Sequence, residues 1–583
     1  MIKNNLQWKI GGEAGFGIMT LGVLFSRICT HGGLKTFAYP EYPSLIRGGH
    51  NTYQVFISDQ QATSQIHDVH LLVALNQETL KLHLAELADG AAVIYDPADF
   101  GSESPKTEGK NVVLVPIEMN KLIKEKNGKP IERNTVALGA SFGLLKYPWQ
   151  YVEQAIRHWF KDKKPSLAES NVAFAKNGYE LAQKQAEKFG YVLTTIDNAE
   201  KQMVVSGNEA IALGAIQAGL KLFAAYPMTP SSAILSSLAK NEKKYNLVVK
   251  HTEDELAAMN LIIGAGFAGA RAMTATSGGG FALMTEALGM AGIAEVPVVV
   301  IMGMRGGPST GLPTWTSQGD LRFVLHASHS EFPRLVLAPG DAQECFYLTH
   351  QAFNLAEIYQ LPVIILVDKY VQESWQSIPL FNTAKLQINR GKLLTQTQLA
   401  KRAAEEIFPR YQHTADGISN RALPGLAGGI HIASSYEHTP EGYTTEDETE
   451  VTAQNDKRFK KLDAYLAKDV CGPKLYGAKK ADVTLIGWGS TKLPGQQVLR
   501  LAEKQNISVN YLHFTYLDPL PINLVQTALQ NCQKTLCVEG NKLGQFEGLL
   551  KQKIGFTMTG HYREYGARPF YPEKILEQVK KIL

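Results

Sequence analysis

The feature that most constrains the fold of this chain is the stretch of residues 225–320, in which short polar segments repeatedly follow apolar runs. The polar segments are AYPMTPSS at 225–232, HTEDELAAMN at 251–260 and MRGGPSTGLPTWTSQGDL at 304–321. In open α/β folds, ligands bind at the carboxyl ends of the strands, where such loops meet. The pattern therefore predicts one site, built from polar side chains and bare backbone, for a charged ligand.

Apolar runs with strand character alternate with helical patterns along most of the chain. TYQVFIS, VHLLVALN, AAVIYD and NVVLVPI are rich in β-branched residues and are separated by helical segments. The alternation predicts α/β units with mostly parallel sheets. We expect a first unit at 1–191, a second at 199–385, a bridging segment with an extended loop and a surface helix at 386–480, and a last α/β unit at 481–583.

Composition narrows the functional classes. The net charge is +4 over 583 residues, which gives no argument for nucleic-acid binding. The five cysteines are scattered without a CxxC pair, which argues against a disulfide framework and against an iron–sulfur cluster held by this chain alone. Because there is no signal-peptide pattern and no apolar run of about 18 residues, we expect a soluble cytoplasmic protein.

The first helix follows a glycine-rich turn, GGEAGFGIMTLG. Gly11, Gly12, Gly15 and Gly17 leave the backbone free to approach a phosphate at a helix N-terminus. The same glycines allow a strand and a helix to pack closely, and the acidic residue of a dinucleotide-binding fold has only a loose candidate in Glu41. Nucleotide binding and close packing both remain open from the residues alone.

Three consecutive acids begin the helix predicted within HTEDELAAMN. Glu253, Asp254 and Glu255 lie in its first turn, where carboxylates favour the positive end of the helix dipole. That role suffices for two of the three. Glu255 is followed by LAAMNLIIGAGFAGA, a run so apolar that its helix should be largely buried, and a carboxylate facing the core needs a partner. Glu255 is therefore a candidate ligand contact.

Two further segments offer ligand contacts, and their alternatives remain open. Arg305 follows the apolar strand VPVVVIMGM, where its guanidinium can bind a carboxylate in bidentate fashion or pair with one of the three acids. Thr229 lies between two prolines that rigidify its backbone, which suits a ligand contact. Ser231 and Ser232 are either contacts or ordinary N-caps of the helix SAILSSLAK.

These motifs together resemble the α subunit of 2-oxoacid:ferredoxin oxidoreductases with a γ domain fused at the N-terminus, most like the 2-oxoglutarate type. AYPMTPSS resembles the family's YPxTPSS loop, EDELAAMN its glutamate-bearing helix, and MRGGPSTGLPTWTSQGDL a run specific to the family. GGEAGFGIMTLG, IRGGHNTYQVFIS and NTVALGA resemble the γ domain, and VTLIGWGST and VEGNKLGQ resemble the last α domain. One departure is Gly279 in TSGGG, where the family usually has proline, so that loop is more flexible.

The resemblance implies a fold and a reaction. The fold is multi-domain α/β: a γ-type α/β domain, a thiamine diphosphate-binding fold that supplies the pyrimidine half of a site, and a transketolase C-terminal-like α/β domain. The reaction is coenzyme A-dependent oxidative decarboxylation of 2-oxoglutarate to succinyl-CoA and CO₂, or its reverse, the reductive carboxylation used for CO₂ fixation in the reductive TCA cycle. Pyruvate or a branched-chain 2-oxoacid is the alternative substrate.

The resemblance also implies residue roles. Glu255 is implied to hydrogen-bond the aminopyrimidine nitrogen of thiamine diphosphate, which favours the tautomer that generates the reactive ylid. Arg305 and Thr229 are implied to bind the 2-oxoacid carboxylate, and these three are the implied catalytic residues. The resemblance implies no metal ligand in this chain. Further substrate contacts are implied for Thr314, Ser309 and Thr310, and further cofactor contacts for Tyr226, Pro227, Ser277 and Gly278.

A partner chain is implied by what this sequence lacks. Its GD pairs, Gly319–Asp320 and Gly340–Asp341, lack the following glycine and the asparagine of a motif for diphosphate and metal. By the resemblance, a β subunit supplies the diphosphate site, Mg²⁺ and a [4Fe-4S] cluster, and electrons pass to ferredoxin from a dimer of αβ heterodimers. The rival classes are a non-redox enzyme of transketolase type and a non-catalytic nucleotide-binding subunit.

Overall fold

The computed structural model describes residues 2–45, 48–101, 105–162, 164–401 and 407–583, so Arg47 in the IRGGHNTYQVFIS motif lies outside the described residues. The structure contains an eight-stranded, a seven-stranded and a five-stranded sheet, together with a two-stranded pairing. Helices accompany each large sheet, which confirms the predicted α/β class. None of the described helices combines the length and the apolar composition needed to cross a membrane.

The N-terminal unit packs helices against its sheet around a core that includes Trp8 and Phe25, whose stacked rings have centroids 4.2 Å apart. Burial of these large apolar side chains stabilises the contact between the first strand-and-helix pair. The elements of this unit are β1 (Ile2–Lys3), β2 (Asn5–Glu13), β3 (Lys35–Glu41), β4 (His50–Ser58), β5 (Val69–Ala74), β6 (Leu87–Tyr95), β7 (Val112–Pro116), β8 (Tyr191–Val192), α1 (Ile18–His31), α2 (Gln77–His83), α3 (Met119–Glu125), α4 (Arg133–Leu144), α5 (Trp149–Trp159) and α6 (Pro165–Gln183).

The first sheet is mixed, and its parallel part agrees with the predicted mostly parallel arrangement, whereas the pairings of β4 depart from it. β2, β5, β6 and β7 are parallel neighbours, but β4 pairs antiparallel with both β2 and β3. Only residues 42–49 join β3 to β4, and a connection this short joins antiparallel strands, because parallel strands need a crossover of a dozen or more residues. The apolar runs alone do not distinguish the two kinds of pairing, because both can be buried on both faces.

The central unit carries the sheet whose strands lead into the three polar segments. The sheet order is β11-β10-β12-β13-β15-β14-β20, and all pairings are parallel except that of β20 (Tyr516–Asp518), which comes from the last unit. The elements of the central unit are β9 (Gln202–Ser206), β10 (Leu222–Ala225), β11 (Val248–His251), β12 (Ala272–Ser277), β13 (Val298–Met304), β14 (Leu335–Leu337), β15 (Pro362–Asp368), β16 (Trp375–Pro379), α7 (Gly207–Gln217), α8 (Ser232–Ala239), α9 (Glu242–Tyr245), α10 (Glu255–Phe267), α11 (Gly278–Ile293), α12 (Leu321–Leu325), α13 (Ala342–Tyr359) and α14 (Lys369–Glu373).

Two strands of the central unit extend the N-terminal sheet. β9 pairs with β16, and β16 pairs with β3, so that sheet runs β7-β6-β5-β2-β4-β3-β16-β9. The sheet is therefore shared across the predicted boundary between 191 and 199. The domain limits expected from the sequence stay a prediction, and the shared sheet shows that the first two units are joined through main-chain hydrogen bonds.

The bridging segment contains α15 (Gln396–Leu399), α16 (Glu448–Lys468) and β17 (Lys474–Tyr476). The prediction of a surface helix is wrong on one side of α16, where Lys457 and Lys461 each lie 2.5 Å from a carboxylate oxygen of the fully buried Glu295. Although burial raises the pKa of Glu295, the charges of the two lysines hold it below its usual range. The charged residues of α16 predict a solvated face, but these two lysines contact a buried carboxylate of another unit.

The last unit is α/β, as expected, and its sheet order is β17-β19-β18-β21-β22. All pairings are parallel except the edge pairing of β17 with β19. The elements of this unit are β18 (Val483–Trp488), β19 (Val509–Phe514), β20 as given above, β21 (Lys534–Glu539), β22 (Gly560–Arg563), α17 (Lys492–Glu503), α18 (Ile522–Leu529), α19 (Gln545–Ile554) and α20 (Pro572–Ile582).

Candidate functional site

The polar segments of the sequence lie at one edge of the central sheet. β10 ends at Ala225, β12 at Ser277 and β13 at Met304, and these strands are consecutive parallel neighbours. β11 pairs with the other side of β10 and ends at His251, shortly before Glu255. Because the carboxyl ends of parallel strands share one edge of the sheet, the loops that follow them meet there.

The start of helix α10 separates Glu255 from its acidic neighbours. Glu253 is exposed before the helix, and Asp254 is the N-cap, whose carboxylate accepts the Ala257 N–H at 2.7 Å. Glu255 is only 4% exposed, and its Oε1 has no hydrogen-bond partner among the described residues. Leaving a buried carboxylate oxygen without a donor is costly, so this atom is suited to a donor from a ligand.

Bare backbone lies against Glu255 at the start of α11. A Cβ atom on Gly280 would lie 2.6 Å from Glu255 Oε1, so a side chain at this position would displace the carboxylate. Ser277 is buried, and its Oγ lacks a hydrogen-bond partner within the described part of the chain. A Cβ atom on Gly279 would meet nothing within 4 Å. The departure from the family's proline at Gly279 therefore alters no contact of this site.

Arg305 extends from the end of β13 to the loop that contains Thr229. Its Nη1 donates to the Thr229 carbonyl oxygen at 2.9 Å. Burial lowers the pKa of Arg305, and the opposing charge comes from Asp320 rather than from the acids at the start of α10. A guanidinium has five N–H donors, so the bond to the Thr229 carbonyl fixes its direction and leaves donors for a carboxylate.

Asp320 belongs to the same site, although the sequence gives no signal for it. A Cβ atom on Gly278 would lie 3.1 Å from Asp320 Oδ2, which places this carboxylate beside the first turn of α11. Burial raises the pKa of Asp320 to about 6, and the charge of Arg305 opposes that shift. In the sequence, Asp320 is one half of a GD pair that lacks the rest of a metal motif, and its proximity to Arg305 depends on the fold of the intervening loop.

The loop after β10 is held by Ser231 and by two side chains without a sequence motif, Asn208 and Gln372. Ser231 Oγ donates to the Thr276 carbonyl oxygen at 2.9 Å and accepts from Gln372 Nε2 at 3.1 Å. Asn208 Nδ2 donates to the Pro230 carbonyl oxygen at 3.0 Å. The Ser231 side chain makes no capping hydrogen bond to α8, so it is not an ordinary N-cap. Its hydroxyl is instead hydrogen-bonded to the Thr276 carbonyl oxygen and to Gln372.

The loop after β13 folds back on itself. The Gly306 N–H donates to the Trp315 carbonyl oxygen at 3.1 Å, and the Leu312 N–H donates to the Gly306 carbonyl oxygen at 2.7 Å. Thr314 is buried by this fold, and its Oγ1 finds no hydrogen-bond partner in the described chain. Its hydroxyl is thus available to a ligand from within the folded loop.

Four of the contacts implied by the resemblance lie on the surface. Tyr226 and Pro227 are exposed after β10, and Ser309 and Thr310 are exposed at the tip of the loop after β13. Tyr226 packs beside His251, with ring centroids 5.9 Å apart. Exposed side chains can enclose a ligand only where a further surface covers them, so this edge of the sheet forms an open half-site.

The last unit fixes the far end of the same loop. The Gln318 N–H donates to the Gly540 carbonyl oxygen, and Gln318 Oε1 accepts the Gly540 N–H, both at 2.8 Å. Gln318 Nε2 donates to the Trp488 carbonyl oxygen at 2.9 Å, and Asn541 Nδ2 donates to the Gln318 carbonyl oxygen at 3.1 Å. The segment that ends in Asp320 is therefore positioned by two units at once.

A separate cavity of about 510 Å³ lies at the glycine-rich turn before α1. Gly15 and Gly17 have φ angles of 93° and 71°, in the left-handed region that favours glycine. By contrast, a Cβ on Gly11 would lie 2.6 Å from Thr79 Cγ2, so Gly11 permits close packing. Close packing therefore accounts for Gly11, whereas phosphate or nucleotide binding at this turn stays a prediction. The cavity is lined by Gly15, Phe16, Asn120, Lys129, Pro130, Ile131, Arg133 and Asn134.

The described residues do not bring together a metal centre. They contain no group of three or more His, Cys, Asp or Glu side chains that could hold a metal ion. The five cysteines, all within the described ranges, are free thiols. Within the part of the chain that the structure describes, neither GD pair of the sequence belongs to such a group.

Family comparisons define the class of protein. The family "Pyruvate ferredoxin/flavodoxin oxidoreductase" matches residues 7–181. The family "Pyruvate flavodoxin/ferredoxin oxidoreductase, thiamine diP-bdg" matches residues 213–457, which contain Glu255, Arg305 and Asp320. The domains are thus those of an oxidoreductase of the thiamine diphosphate-binding class.

Individual relatives identify the family. A 2-oxoacid:ferredoxin oxidoreductase subunit alpha from Sulfolobus sp is 33% identical and is aligned over 99% of this chain and 97% of the relative. The 2-oxoglutarate oxidoreductase subunit KorA of Mycobacterium tuberculosis is 30% identical, over 94% of this chain and 87% of the relative. The structure of 2-oxoglutarate:ferredoxin oxidoreductase from Magnetococcus marinus, with 2-oxoglutarate, coenzyme A and succinyl-CoA bound, matches with a TM-score of 0.91 at 30% identity over 99% of both chains. This chain belongs to the family of 2-oxoacid:ferredoxin oxidoreductase α subunits, which confirms the resemblance.

Proposed function

We propose that this chain is the α subunit of a 2-oxoglutarate:ferredoxin oxidoreductase. With a β subunit it converts 2-oxoglutarate, coenzyme A and oxidised ferredoxin into succinyl-CoA, CO₂ and reduced ferredoxin, or runs the reverse reaction. The observation that carries the proposal is Glu255 Oε1, buried against Gly280 and without a partner among the described residues, at the same sheet edge as Arg305. Similarity to the Magnetococcus marinus structure, which holds 2-oxoglutarate and succinyl-CoA, supports the choice of substrate.

The residues around Glu255 fit one half of thiamine diphosphate. An aminopyrimidine ring offers a ring nitrogen and an amino group, and Glu255 Oε1 and Ser277 Oγ are buried atoms with no partner in the described chain. Gly280 lets the backbone pack directly against the Glu255 carboxylate, and Gly279 faces open space, since a Cβ there would meet nothing within 4 Å. When bound, the cofactor supplies a carbon nucleophile for the 2-oxo group and takes up the electron pair released by decarboxylation.

The side chains of this chain have distinct tasks in the proposed reaction. Glu255 holds the ring nitrogen by a hydrogen bond and can exchange a proton with it. Arg305, held by the Thr229 carbonyl oxygen, presents its remaining N–H groups to the carboxylate next to the 2-oxo group. The hydroxyls of Thr229 and Thr314 supply neutral donors beside it. These contacts orient the 2-oxo carbon for attack and restrain the substrate.

A β subunit is proposed to cover the exposed side of the half-site. Leu256 on α10 is 45% exposed, and Leu283 on α11 is 49% exposed. A contiguous exposed apolar surface of this kind marks an interface. The partner would supply the diphosphate site, the Mg²⁺ and the [4Fe-4S] cluster that the described residues do not assemble. The exposed apolar side chains of these two helices are Leu256, Leu261, Phe267, Leu283 and Met290.

Coenzyme A is proposed to place its phosphates at the cavity before α1. The N-terminus of this helix has backbone N–H groups without helical acceptors and the positive end of the helix dipole, both of which favour phosphate. Lys129 adds positive charge to the lining, Arg133 also lines the cavity but is ion-paired with Asp99, and Gly15 leaves the backbone bare there. The similarity to a structure with bound coenzyme A supports this assignment.

The compartment and the electron carrier follow from the proposed reaction and from the thiols. Five cysteines remain free in the structure. Free thiols, partly exposed at Cys471 and Cys532, are typical of a reducing compartment, so we place the complex in the cytoplasm. There ferredoxin would accept the electrons one at a time from the β subunit's cluster.

The isolated chain is expected to be colourless and inactive, because its described residues form no cluster or metal site. The complex with its β subunit is expected to be brown and to reduce viologen when given 2-oxoglutarate and coenzyme A. The measurements are iron content, the visible spectrum, and specificity constants for 2-oxoglutarate, pyruvate and 2-oxoisovalerate. Stoichiometric iron in the isolated chain would contradict the division of tasks between the subunits.

The same measurements separate the alternatives. A higher specificity constant for pyruvate than for 2-oxoglutarate would change the assigned substrate to pyruvate but would leave the assigned reaction, oxidation of a 2-oxoacid, unchanged. A colourless complex that turns over without coenzyme A would instead indicate a non-redox thiamine enzyme, and a complex inactive with all three 2-oxoacids would overturn the proposed function.

Replacing Leu256 with glutamate is expected to weaken assembly with the β subunit. A carboxylate buried unpaired in an apolar interface costs several kcal/mol, so the dissociation constant should rise by about two orders of magnitude or more. The matched control is Leu213→Glu, since Leu213 is also an exposed leucine, at 37%, on helix α7 of the same unit. Sedimentation measures assembly, and thermal melting of the isolated chain verifies folding. Equal loss in both variants, or loss in neither, would remove the α10–α11 surface as the docking site.

A further inference from the structure

The last unit places a second arginine on the loop that follows Arg305. The guanidinium carbon of Arg568 lies 3.4 Å from the centroid of the Trp315 ring, a stacked arrangement. A Cβ on Gly306 would lie 3.3 Å from the Cβ of Ala567, so the backbone before Arg568 touches the residue after Arg305. Two arginines from different units thus approach one loop.

The fold of this loop brings the two arginines to the same end of the sheet. Trp315, on which Arg568 is stacked, accepts the Gly306 N–H at 3.1 Å. Gly306 follows Arg305 directly, and consecutive Cα atoms are about 3.8 Å apart. The Arg568 guanidinium therefore lies within a few residue lengths of Arg305, on the side of the loop that the last unit covers.

Arg568 retains its capacity to bind an anion. Its hydrogen bond goes to the Gly566 carbonyl oxygen in its own turn, at a long 3.4 Å, and its guanidinium forms no ion pair with a carboxylate of the described residues. Stacking on Trp315 restricts the plane of the guanidinium and leaves its N–H edges accessible. Ala567, just before it, has a φ of 58°, a conformation uncommon for alanine that directs the next residue toward the loop.

We propose that Arg568 binds the distal carboxylate of the substrate and so selects 2-oxo acids that carry a second carboxylate. This inference rests on the proposed function and deepens it. The carboxylate next to the 2-oxo group is assigned to Arg305, and the second one loses water when the half-site is covered, so it needs its own cation. Arg322 and Arg568 are both exposed, but the Arg322 guanidinium lies against Gly548 of α19, whereas that of Arg568 is stacked on Trp315 of the loop itself.

The test compares two substrates of equal length in the assembled complex, 2-oxoglutarate and 2-oxovalerate, which has a methyl group in place of the distal carboxylate. In Arg568→Met, the ratio of kcat/KM for 2-oxoglutarate to that for 2-oxovalerate is expected to fall about 10- to 100-fold, mostly through KM for 2-oxoglutarate. Arg568→Lys keeps the charge without the planar fork and should give an intermediate ratio. Lys542→Met is the matched control, because Lys542, like Arg568, is a cation of the last unit that lies over an aromatic ring. Its Nζ is 5.9 Å from the centroid of the Tyr565 ring.

The outcomes distinguish this inference from the proposed function. An equal loss for both substrates in Arg568→Met would mean that Arg568 only supports Trp315, and no loss for either would mean that it has no part in binding; both overturn the inference and leave the function standing. If Lys542→Met lowered the ratio of the two kcat/KM values as much as Arg568→Met does, the inference would also be overturned. The effect would then come from the loss of any positive charge on this surface. A wild-type complex inactive with 2-oxo acids would overturn the proposed function itself.

Discussion

Glu255→Ala is expected to lower turnover of the assembled complex by about 10²–10⁴-fold, the usual contribution of a positioned proton-transfer group. Glu255 Oε1 is buried and finds no hydrogen-bond partner among the described residues, so its removal takes away the proposed contact to the cofactor without breaking a hydrogen bond of this atom within the described chain. Glu255→Gln, which keeps the shape of the side chain, should lose nearly as much. The measurement is coenzyme A-dependent oxidation of 2-oxoglutarate in the purified complex.

The matched control for this prediction is Glu253→Ala, because Glu253 is an exposed acid two residues away. Its effect should be limited to the helix-end charge, about 0.3–1 kcal/mol of stability, with turnover unchanged. Asp254→Ala removes the N-cap that holds the Ala257 N–H and should cost about 0.5–2 kcal/mol of stability. If Glu253→Ala and Glu255→Ala reduced turnover alike, Glu255 would have no special part in the reaction.

The sequence could predict that one of these acids is buried while the others lie at the helix end, because this difference depends only on neighbouring residues. A helix N-terminus explains acids in its first turn, and an apolar helix indicates that one of them is buried. The structure places Asp254 at the N-cap and Glu255 inside, in agreement with that division. The convergence of the three polar segments could also be predicted, because parallel strands direct their following loops to one edge.

Features that depend on long-range pairing could not be predicted from the sequence. The attachment of β9 and β16 to the first sheet joins residues far apart in the chain. The lysines of α16 have the pattern of a solvated helix face, yet their partner, Glu295, lies in another unit. In each case the deciding group is absent from the local sequence window.

The same limitation applies to the candidate site. Asp320 and Gln372 have no motif of their own, and their contacts with the starts of α11 and α8 exist only after the loops have folded. Arg568 lies in the last unit, and the sequence around Trp315 gives no hint that an arginine stacks there. Motifs thus indicate the residues that act directly on a ligand, whereas the residues that hold those loops depend on tertiary structure.

Arg305→Ala is expected to impair the reaction with every 2-oxoacid, because the carboxylate assigned to Arg305 is common to all of them. Removing one partner of a buried, hydrogen-bonded charge pair costs about 2–5 kcal/mol, or roughly 30- to several-thousand-fold in kcat/KM. The change also frees the Thr229 carbonyl oxygen, which accepts from Arg305 Nη1 at 2.9 Å. Arg305→Lys keeps the charge but lacks the planar fork that binds a carboxylate in bidentate fashion, so it should recover only part of the activity.

Specificity constants for 2-oxoglutarate, 2-oxovalerate and pyruvate decide the role of Arg305. The matched control is Arg322→Ala, because Arg322 is an exposed arginine further along the same segment, on α12. A similar loss for all three acids in Arg305→Ala alone is the expected result. If only 2-oxoglutarate were affected, Arg305 would be the clamp for the distal carboxylate. In that case Arg568→Met should not lower kcat/KM for 2-oxoglutarate selectively. The Arg305 and Arg568 variants together therefore show which arginine binds the distal carboxylate.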